Sequence, residues 1–372
     1  MMVNRQSNGV TVSLRGIGTS VPQHSVETPV SAEFAASFLC GGNSFDRKVK
    51  ALYRRSGIER RGSVLLEEDP GSELREHVFY PPAETDQDRG PSTKVRNDRF
   101  AIEAPRLARD SASHALAAAG TKPGEITHLV TVCCTGFFAP GIDISLIEDL
   151  GLPATTQRVQ IGFMGCHAAI NGLRAAEGLV AANPDAKVLM VCVELCSLHL
   201  QYGMDADRIV SNSIFADGSS AAVISAGNGR RDCGELVGTG SYLMPDSREA
   251  MTWRVADHGF EMTLSAMVPN LIEQHLVSFF DPWLSEQGES IESIGGWAVH
   301  PGGPRIVSAV QAALGLTDED LRIPREVLKQ HGNMSSATML FILNEFQQNS
   351  QPKPWLLMGF GPGLEIEVAL VR

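Results

Sequence analysis

Short apolar runs alternate along the first part of the chain with longer segments of helical periodicity. Runs rich in β-branched residues predict buried strands, and they lie at residues 126–134, 158–163, 187–194 and 220–225. Residues 102–119 are rich in Ala and Leu, and a second helical segment begins at His167 and ends before Asn183. This alternation of strands and helices predicts an α/β fold with a buried sheet.

The second part of the chain has the same rhythm. Predicted strands lie at residues 294–299, 355–360 and 366–371, and predicted helices at residues 305–314 and 335–346. Turn-forming and charged residues cluster at 227–231, so we divide the chain into two halves, residues 1–228 and 229–372. The halves share an arrangement of elements but no repeat of residues.

Composition limits the classes of partner. The 372 residues are 43% hydrophobic and carry a net charge of −12, which argues against nucleic acid and anionic membranes as main partners. The start of the sequence lacks the apolar core of a signal peptide, and no run of eighteen apolar residues occurs. Seven cysteines without metal-site spacing indicate reduced thiols and no metal centre. We therefore expect a soluble cytoplasmic protein.

Cys166 is the strongest candidate nucleophile. It follows a predicted strand and Gly165, and it precedes the helix that starts at His167. The positive end of a helix dipole favours a thiolate at such a position. The other strand cysteines, including Cys133 and Cys192, fit better as small core residues.

His300 and Asn333 are candidates for the groups that assist this thiol. His300 ends a predicted strand and precedes a Pro- and Gly-rich turn. His331 is its main rival, whereas the side chain of His167 should point away from that of Cys166. Asn333 precedes an apolar helix, where it fits either a helix cap or an amide donor that stabilises an enolate. Spacing alone does not decide between these roles.

Four motifs in this order resemble the type III polyketide synthases, which include the chalcone and stilbene synthases. They are GFMGCHAA, WAVHPGGP, HGNMSSAT and GFGPGL. The resemblance implies a thiolase fold, in which two similar α/β halves form a five-layered αβαβα core, and it implies a homodimer. It also implies a catalytic triad of Cys166, His300 and Asn333.

The resemblance further implies a reaction. Cys166 would accept an acyl group from a starter acyl-CoA. His300 would pair with the thiolate and, with Asn333, would hold the thioester oxygen of malonyl-CoA while decarboxylation generates an enolate. The enolate would attack the acyl-enzyme in a Claisen condensation, and the extended chain would cyclise. This chemistry uses CoA thioesters as substrates and requires no metal or redox cofactor.

Further residues receive roles from the same resemblance. Phe215 and Phe260 match phenylalanines that orient malonyl-CoA. Other substrate-binding positions are implied at Cys134, Cys196, His199, Met251 and Ser335, and CoA-binding positions at Lys48, Arg55 and Arg305. Ala51 stands where the family has a third basic residue, and a solvated helix face explains the basic run equally well. The altered cavity residues favour a fatty acyl-CoA starter and a pyrone or resorcinol-type product.

Two alternative functions remain open at this stage. A β-ketoacyl-carrier-protein synthase shares the Cys-His-Asn chemistry but takes its substrate from a carrier protein. A catalytically silent scaffold would keep the fold for assembly alone. GFGPGL and Phe215 favour the polyketide synthases over the first alternative, and the intact Cys166, His300 and Asn333 argue against the second.

Overall fold

The computed structural model of the chain describes residues 10–37, 43–68, 74–75, 79–203, 205–227 and 233–372. Its strands are β1 (Val12–Ser20), β2 (Ser25–Glu27), β3 (Arg60–Gly62), β4 (Glu67–Glu68), β5 (Leu74–Arg75), β6 (His128–Cys133), β7 (Gln157–Gly162), β8 (Lys187–Leu195), β9 (Asp217–Ala226), β10 (Gly234–Leu243), β11 (Met251–Ala256), β12 (Gly259–Leu264), β13 (Gly296–Val299), β14 (Trp355–Gly361) and β15 (Glu365–Val371). Its α-helices are α1 (Thr28–Ser37), α2 (Asn43–Arg55), α3 (Thr93–Ala119), α4 (Ile142–Leu150), α5 (Ala168–Ala182), α6 (Ala206–Ile214), α7 (Val268–Glu286), α8 (Pro304–Leu314), α9 (Arg322–His331) and α10 (Thr338–Gln348). Short 3₁₀ helices cover Pro123–Glu125, Cys196–His199, Ile291–Ser293 and Ser335–Ala337.

Local sequence accounts for most of these boundaries. Helix α3 begins nine residues before the predicted start at residue 102, because Ser92 caps it by accepting a hydrogen bond from the amide of Val95. The helix ends where predicted, at Gly120, which adopts a left-handed conformation with φ of 62°. The predicted helix at 335–346 begins instead with a 3₁₀ turn, and Ser335 there has a positive φ of 47°.

Nine strands form the large sheet of the described residues, in the order β13-β14-β15-β10-β1-β9-β8-β6-β7. In the first half, β1 pairs antiparallel with β9, β9 pairs antiparallel with β8, and β8 pairs parallel with β6. In the second half, β10 pairs antiparallel with β15, β15 pairs antiparallel with β14, and β14 pairs parallel with β13. The two halves of the chain therefore repeat one strand arrangement, and they meet at the antiparallel contact of β1 with β10.

Helices cover and separate the two parts of this sheet. Helix α3 packs on β1, β9 and β8, whereas α7 packs beside α8 over the strands of the second half. Helices α5 and α10 contact strands of both halves and share one apolar cluster with them. The order of layers is thus helix, sheet, helix, sheet and helix, as the resemblance implied.

The expected mixed α/β fold class is confirmed. The predicted boundary between residues 228 and 229 lies in 228–232, outside the described residues. Among the helices that the structure describes, none is long and apolar enough to cross a membrane.

Candidate active site

Cys166 lies on a tight turn that joins β7 to α5. Gly165 adopts a positive φ of 82° there, and a Cβ at this position would lie 2.4 Å from Cδ of Pro362. The thiol of Cys134 supports the turn by accepting a hydrogen bond from the amide of Gly165 at 3.1 Å. The turn presents the Sγ of Cys166 to a cavity, although only 8% of the residue is exposed.

Asn333 approaches the same thiol from the loop between α9 and α10. Its backbone amide donates to the carbonyl of Ile214 at 2.8 Å, and its carbonyl accepts from the amide of Ala216 at 3.0 Å. Asn333 does not cap α10, whose N-cap residue is Ala337. Its Nδ2 lies 4.0 Å from the Sγ of Cys166. The side-chain amide is therefore placed as a donor beside the nucleophile.

His300 directly follows β13, and its amide donates to the carbonyl of Met358 at 2.7 Å. The residue is 1% exposed, and neither ring nitrogen has a hydrogen-bond partner among the described residues. Asn333 connects this segment to the nucleophile, because its Nδ2 also lies 3.5 Å from the carbonyl oxygen of Gly302. The rival His331 packs on the ring of Phe341 and does not line the cavity.

Burial dominates the electrostatics of the thiol and the imidazole. It raises the pKa of Cys166 to about 11, although hydrogen bonds from Ser335 and Asn333 oppose the shift. It lowers the pKa of His300 to about 3. Both shifts favour the neutral thiol and the neutral imidazole, opposite to the effect of the helix dipole that the sequence indicated. The helix dipole is too weak to offset the desolvation of a buried thiolate.

A buried carboxyl group that the sequence reading missed lies near the nucleophile. Glu194 of β8 is fully buried, and burial raises its pKa. It accepts hydrogen bonds from the amide of Cys134 at 3.0 Å, from the hydroxyl of Thr135 at 2.8 Å and from the hydroxyl of Ser336. Its charge also raises the pKa of Cys166, although by less than burial does. The sequence contained an indication of this residue, because a single carboxylate within an apolar strand is rarely an ordinary core residue.

One cavity of about 1070 Å³, including its open mouth, adjoins Cys166. All seven residues that the resemblance assigned to substrate binding line it, namely Cys134, Cys196, His199, Phe215, Met251, Phe260 and Ser335. His300 and Asn333 are not among the residues that line it.

His199 lines the cavity without a free ring nitrogen. Its Nε2 donates to the carbonyl of Thr135 at 2.7 Å, and its Nδ1 accepts from the amide of Phe260 at 3.0 Å. Burial lowers its pKa to about 3, so the ring is neutral. The ring also stacks on Phe260 with centroids 4.2 Å apart. His199 therefore holds the cavity wall and is not available for proton transfer.

The hairpin β11–β12 forms a cavity wall that sequence reasoning only partly anticipated. Besides Met251 and Phe260, it contributes Trp253 and Met262, which are directly opposite each other across the two strands. Trp253 donates through Nε1 to the carbonyl of Cys134 at 2.7 Å. The fully buried Arg96 supports the facing wall by donating to the carbonyls of Leu198 and Leu200. No sequence signal distinguished these residues from ordinary strand and helix residues.

The three expected CoA-binding residues lie outside the cavity lining. Lys48 and Arg55 are exposed on α2, and Tyr53 of the same helix lines the cavity. Arg305 is exposed at the start of α8. No cluster of three potential metal ligands occurs among the residues that the structure describes.

Comparisons with known proteins agree with this architecture. The family model for the N-terminal domain of chalcone and stilbene synthases matches residues 2–228, and the model for the C-terminal domain matches residues 235–372. A relative from Mycobacterium tuberculosis, described as "Alpha-pyrone synthesis polyketide synthase-like Pks18", is 31% identical over 363 residues, which are 95% of this chain and 89% of the relative.

Two solved structures are also similar. The polyketide synthase PKS-I of the brown alga Ectocarpus siliculosus has a TM-score of 0.90 and 31% identity, and the match covers 99% of this chain and all of that one. The C-terminal type III polyketide synthase domain of Steely1 from Dictyostelium has a TM-score of 0.87 and 28% identity, with 97% and 99% coverage.

Proposed function

The chain belongs to the chalcone and stilbene synthase family, the type III polyketide synthases, and on that premise we propose that it loads an acyl group on Cys166 and extends it with malonyl-CoA. The observation that carries the proposal is the approach of the Asn333 amide to the Cys166 thiol at the wall of a deep cavity. Family membership makes the protein a condensing enzyme of the acyltransferase type. The individual residue roles are our proposal.

The pKa values of the site suggest how loading proceeds. Burial favours the neutral forms of Cys166 and His300, so in this proposal His300 accepts the thiol proton as Sγ attacks the starter thioester. The same proton then protonates the CoA sulfur as the C–S bond of the starter breaks. His300 is thus a transient base in this proposal, and a resting ion pair is not required.

Extension depends on donors placed where negative charge develops. Decarboxylation of malonyl-CoA moves charge onto the thioester oxygen, and we assign the stabilisation of that oxygen to Asn333 and His300. A single such donor typically contributes about 3–4 kcal/mol to the stability of the transition state. The new enolate attacks the acyl group on Cys166, and Phe215 and Phe260 at the cavity wall are suited to orienting it.

The cavity favours a fatty acyl starter. Phe34, Leu200, Met251, Trp253 and Met262 give its wall a mostly apolar character, which suits an alkyl chain better than a polar starter. The pyrone-forming activity in the name of the mycobacterial relative supports a pyrone product over a resorcinol. Lys48, Arg55 and Arg305 remain our candidates for the CoA phosphates.

We further propose a homodimer in the cytoplasm. Strand β7 ends the large sheet, its outer edge has no partner strand among the described residues, and Val159 on it and Phe137 nearby are exposed. A second copy of the chain would cover this edge and its apolar side chains. Cys133, Cys134, Cys166, Cys192 and Cys196 are free thiols, which suits a reducing compartment.

Mass spectrometry of reaction products tests the proposal. Purified protein is incubated with malonyl-CoA and acyl-CoA starters of increasing chain length, with Cys166→Ala as the inactive variant. Cys192→Ala, at a buried thiol of β8 outside the cavity lining, is the cysteine control. We expect pyrones that carry the starter chain from the wild type and from Cys192→Ala, and none from Cys166→Ala. Products from Cys166→Ala would overturn the assignment, and activity only with carrier-protein substrates would favour a carrier-protein synthase.

A further inference from the structure

Helix α6 runs from the protein surface to the active site. Asp207 in its first turn is exposed, whereas Phe215 at its end pairs with Asn333 beside the nucleophile. Arg208, Ser211 and Phe215 all line the cavity. Their spacing of three and four residues places them on one face of the helix. A ligand that enters along α6 therefore meets Arg208 first, then Ser211 and then Phe215.

Two buried hydroxyl groups at this part of the cavity have no hydrogen-bond partner among the described residues. They belong to Ser31 and Ser211, which both line the cavity and are each 8% exposed. Ser31 lies on α1, which packs on α2, and α2 packs in turn on α6. Buried polar groups without a partner are rare in folded proteins, and a hydroxyl can both donate and accept. These hydroxyls are therefore available to a ligand that carries amide groups.

Arg208 differs from the other arginine of the described cavity lining, Arg61, in its access to solvent. Arg61 is 7% exposed, and its guanidinium donates to the carbonyls of Asn212 and Ser213 at 3.1 and 2.8 Å. The side chain of Arg208 is 34% exposed and donates to one backbone carbonyl at 3.2 Å. Its Nη2 lies 3.6 Å from a carboxyl oxygen of Glu261, which is beyond hydrogen-bond distance. Arg208 therefore has donors and a permanent charge available to an anion that enters the cavity.

A phosphopantetheine arm carries its functional groups in the same order. It has a phosphate at one end, the thioester at the other, and two amides and a hydroxyl between them. Arginine donates readily to phosphate oxygens, because its N–H groups match their geometry. Arg208 precedes Phe215 by seven residues, which is about 10 Å along a helix. A phosphate at Arg208 thus places the amides beside Ser211 and directs the thioester toward Phe215.

We propose that Arg208 binds the phosphate, and Ser31 and Ser211 the amides, of the phosphopantetheine arm of the CoA donors. The inference deepens the proposed function and rests on it, because it names the residues that recognise the donor. Lys48 and Arg55 lie outside the cavity lining and are left for the nucleotide part of CoA. The carboxylate of Glu261 competes with the phosphate for Arg208.

Three acyl donors that share one fatty acyl chain test the inference in the full-length protein. They are the thioesters of phosphopantetheine, of pantetheine, which lacks the phosphate, and of N-acetylcysteamine, which keeps one amide. The second-order rate constant for acylation of the protein is measured for each donor by intact mass. Ratios between donors are compared within each variant, so a variant that simply loses folded protein leaves the ratios unchanged.

Variants at the two ends of the Arg208–Glu261 contact should have opposite effects. In Arg208→Gln we expect the ratio of the phosphopantetheine to the pantetheine rate constant to fall about tenfold, because a charge-assisted hydrogen bond is lost. In Glu261→Gln the same ratio should rise, because the competing carboxylate is removed. Arg322→Gln, at an exposed arginine of α9 that forms an ion pair with Glu319, is the matched control and should keep the wild-type ratio.

The serines are tested by the other pair of donors. In Ser211→Ala and in Ser31→Ala, the ratio of the pantetheine to the N-acetylcysteamine rate constant should fall about threefold, because a neutral hydrogen bond is lost. An unchanged phosphate ratio in Arg208→Gln, or an equal slowing with all three donors, would overturn the assignment of Arg208. An unchanged pantetheine ratio in both serine variants would overturn that of the hydroxyls. A wild-type protein that no donor acylates would instead refute the proposed function.

Discussion

The side-chain amide of Asn333 points at the Sγ of Cys166 from 4.0 Å, although 167 positions separate the two residues in the chain. The contact joins the two halves, because Cys166 precedes α5 and Asn333 precedes α10. Backbone hydrogen bonds to Ile214 and Ala216 hold Asn333 in place independently of its side chain. The side-chain Oδ1 also accepts a hydrogen bond from the amide of Ser335 at 2.8 Å, so the side chain contributes to the order of the same loop.

Replacing Asn333 with alanine should slow extension much more than loading. The amide acts where negative charge develops on the malonyl thioester, so its loss should reduce CO2 release by about 10²–10³-fold. Acylation of Cys166, measured by intact mass, should change by less than about tenfold. Asn349→Ala, at an exposed asparagine beyond α10, serves as the control. An equal loss in both steps would contradict a role specific to the enolate.

The reactivity of Cys166 should increase steadily with pH. Because burial raises the pKa of this thiol to about 11, the thiolate fraction at pH 7 is small and grows about tenfold per pH unit until the pH approaches that value. The rate of alkylation by iodoacetamide, followed by peptide mapping at pH 7 to 10, measures this fraction. A rate that levels off below pH 8 would show that the thiolate is stabilised at rest. Cys166→Ala provides the background from the other buried thiols.

The stability of the fold should decrease on acidification, in part because His199 is buried in its neutral form. Its pKa of about 3 lies below the usual value of 6.5, so only the unfolded chain binds this proton between those pH values. The histidine should therefore reduce the free energy of unfolding by about 1.4 kcal/mol for each pH unit below 6. Urea unfolding at pH 7 to 4 measures how the free energy of unfolding changes with pH, and this slope is compared between the wild type and His199→Gln. Identical slopes would contradict the prediction.

Met251 should limit the length of the chain that the cavity accepts. It is buried on the wall formed by β11, so Met251→Ala should enlarge the cavity and lower the free energy of unfolding by about 2–5 kcal/mol. Mass spectrometry should show a shift toward longer starters or additional extensions. Val255, 52% exposed on the same strand and outside the lining, offers Val255→Ala as the control. An unchanged product distribution would exclude a role for Met251 in chain length.

The sequence predicted the fold and the strand ends around the site because these features are local. Apolar runs and turn residues located β7, β13 and the start of α5, and thereby the turns that hold Cys166 and His300. Side-chain partners set by the fold were not predictable in this way. Trp253 meets Met262 only through the register of β11 with β12, and Arg96 is buried only because distant carbonyls surround its guanidinium.

The pKa of Cys166 is a further property that local sequence does not predict, because it depends on the folded surroundings of the thiol. The sequence placed the thiol before a helix, and a helix dipole stabilises an adjacent anion by about 0.3–1 kcal/mol at exposed positions. The rise of its pKa from 9.0 to about 11 corresponds to about 3 kcal/mol in the opposite direction. Desolvation therefore outweighs the helix dipole at this thiol. Its size depends on contacts that form only when the chain has folded.

The two central helices have a consequence for how the protein can be divided. Helices α5 and α10 each touch strands from both halves, and the thiol and the amide at their beginnings come from different halves. Separate polypeptides that end near Ala226 and begin near Gly234 would each expose a large part of the shared apolar cluster. Neither fragment would carry a complete site, so activity would return only upon their reassociation. The protein is thus suited to a split-enzyme reporter, in which polyketide formation records the meeting of two fused partners.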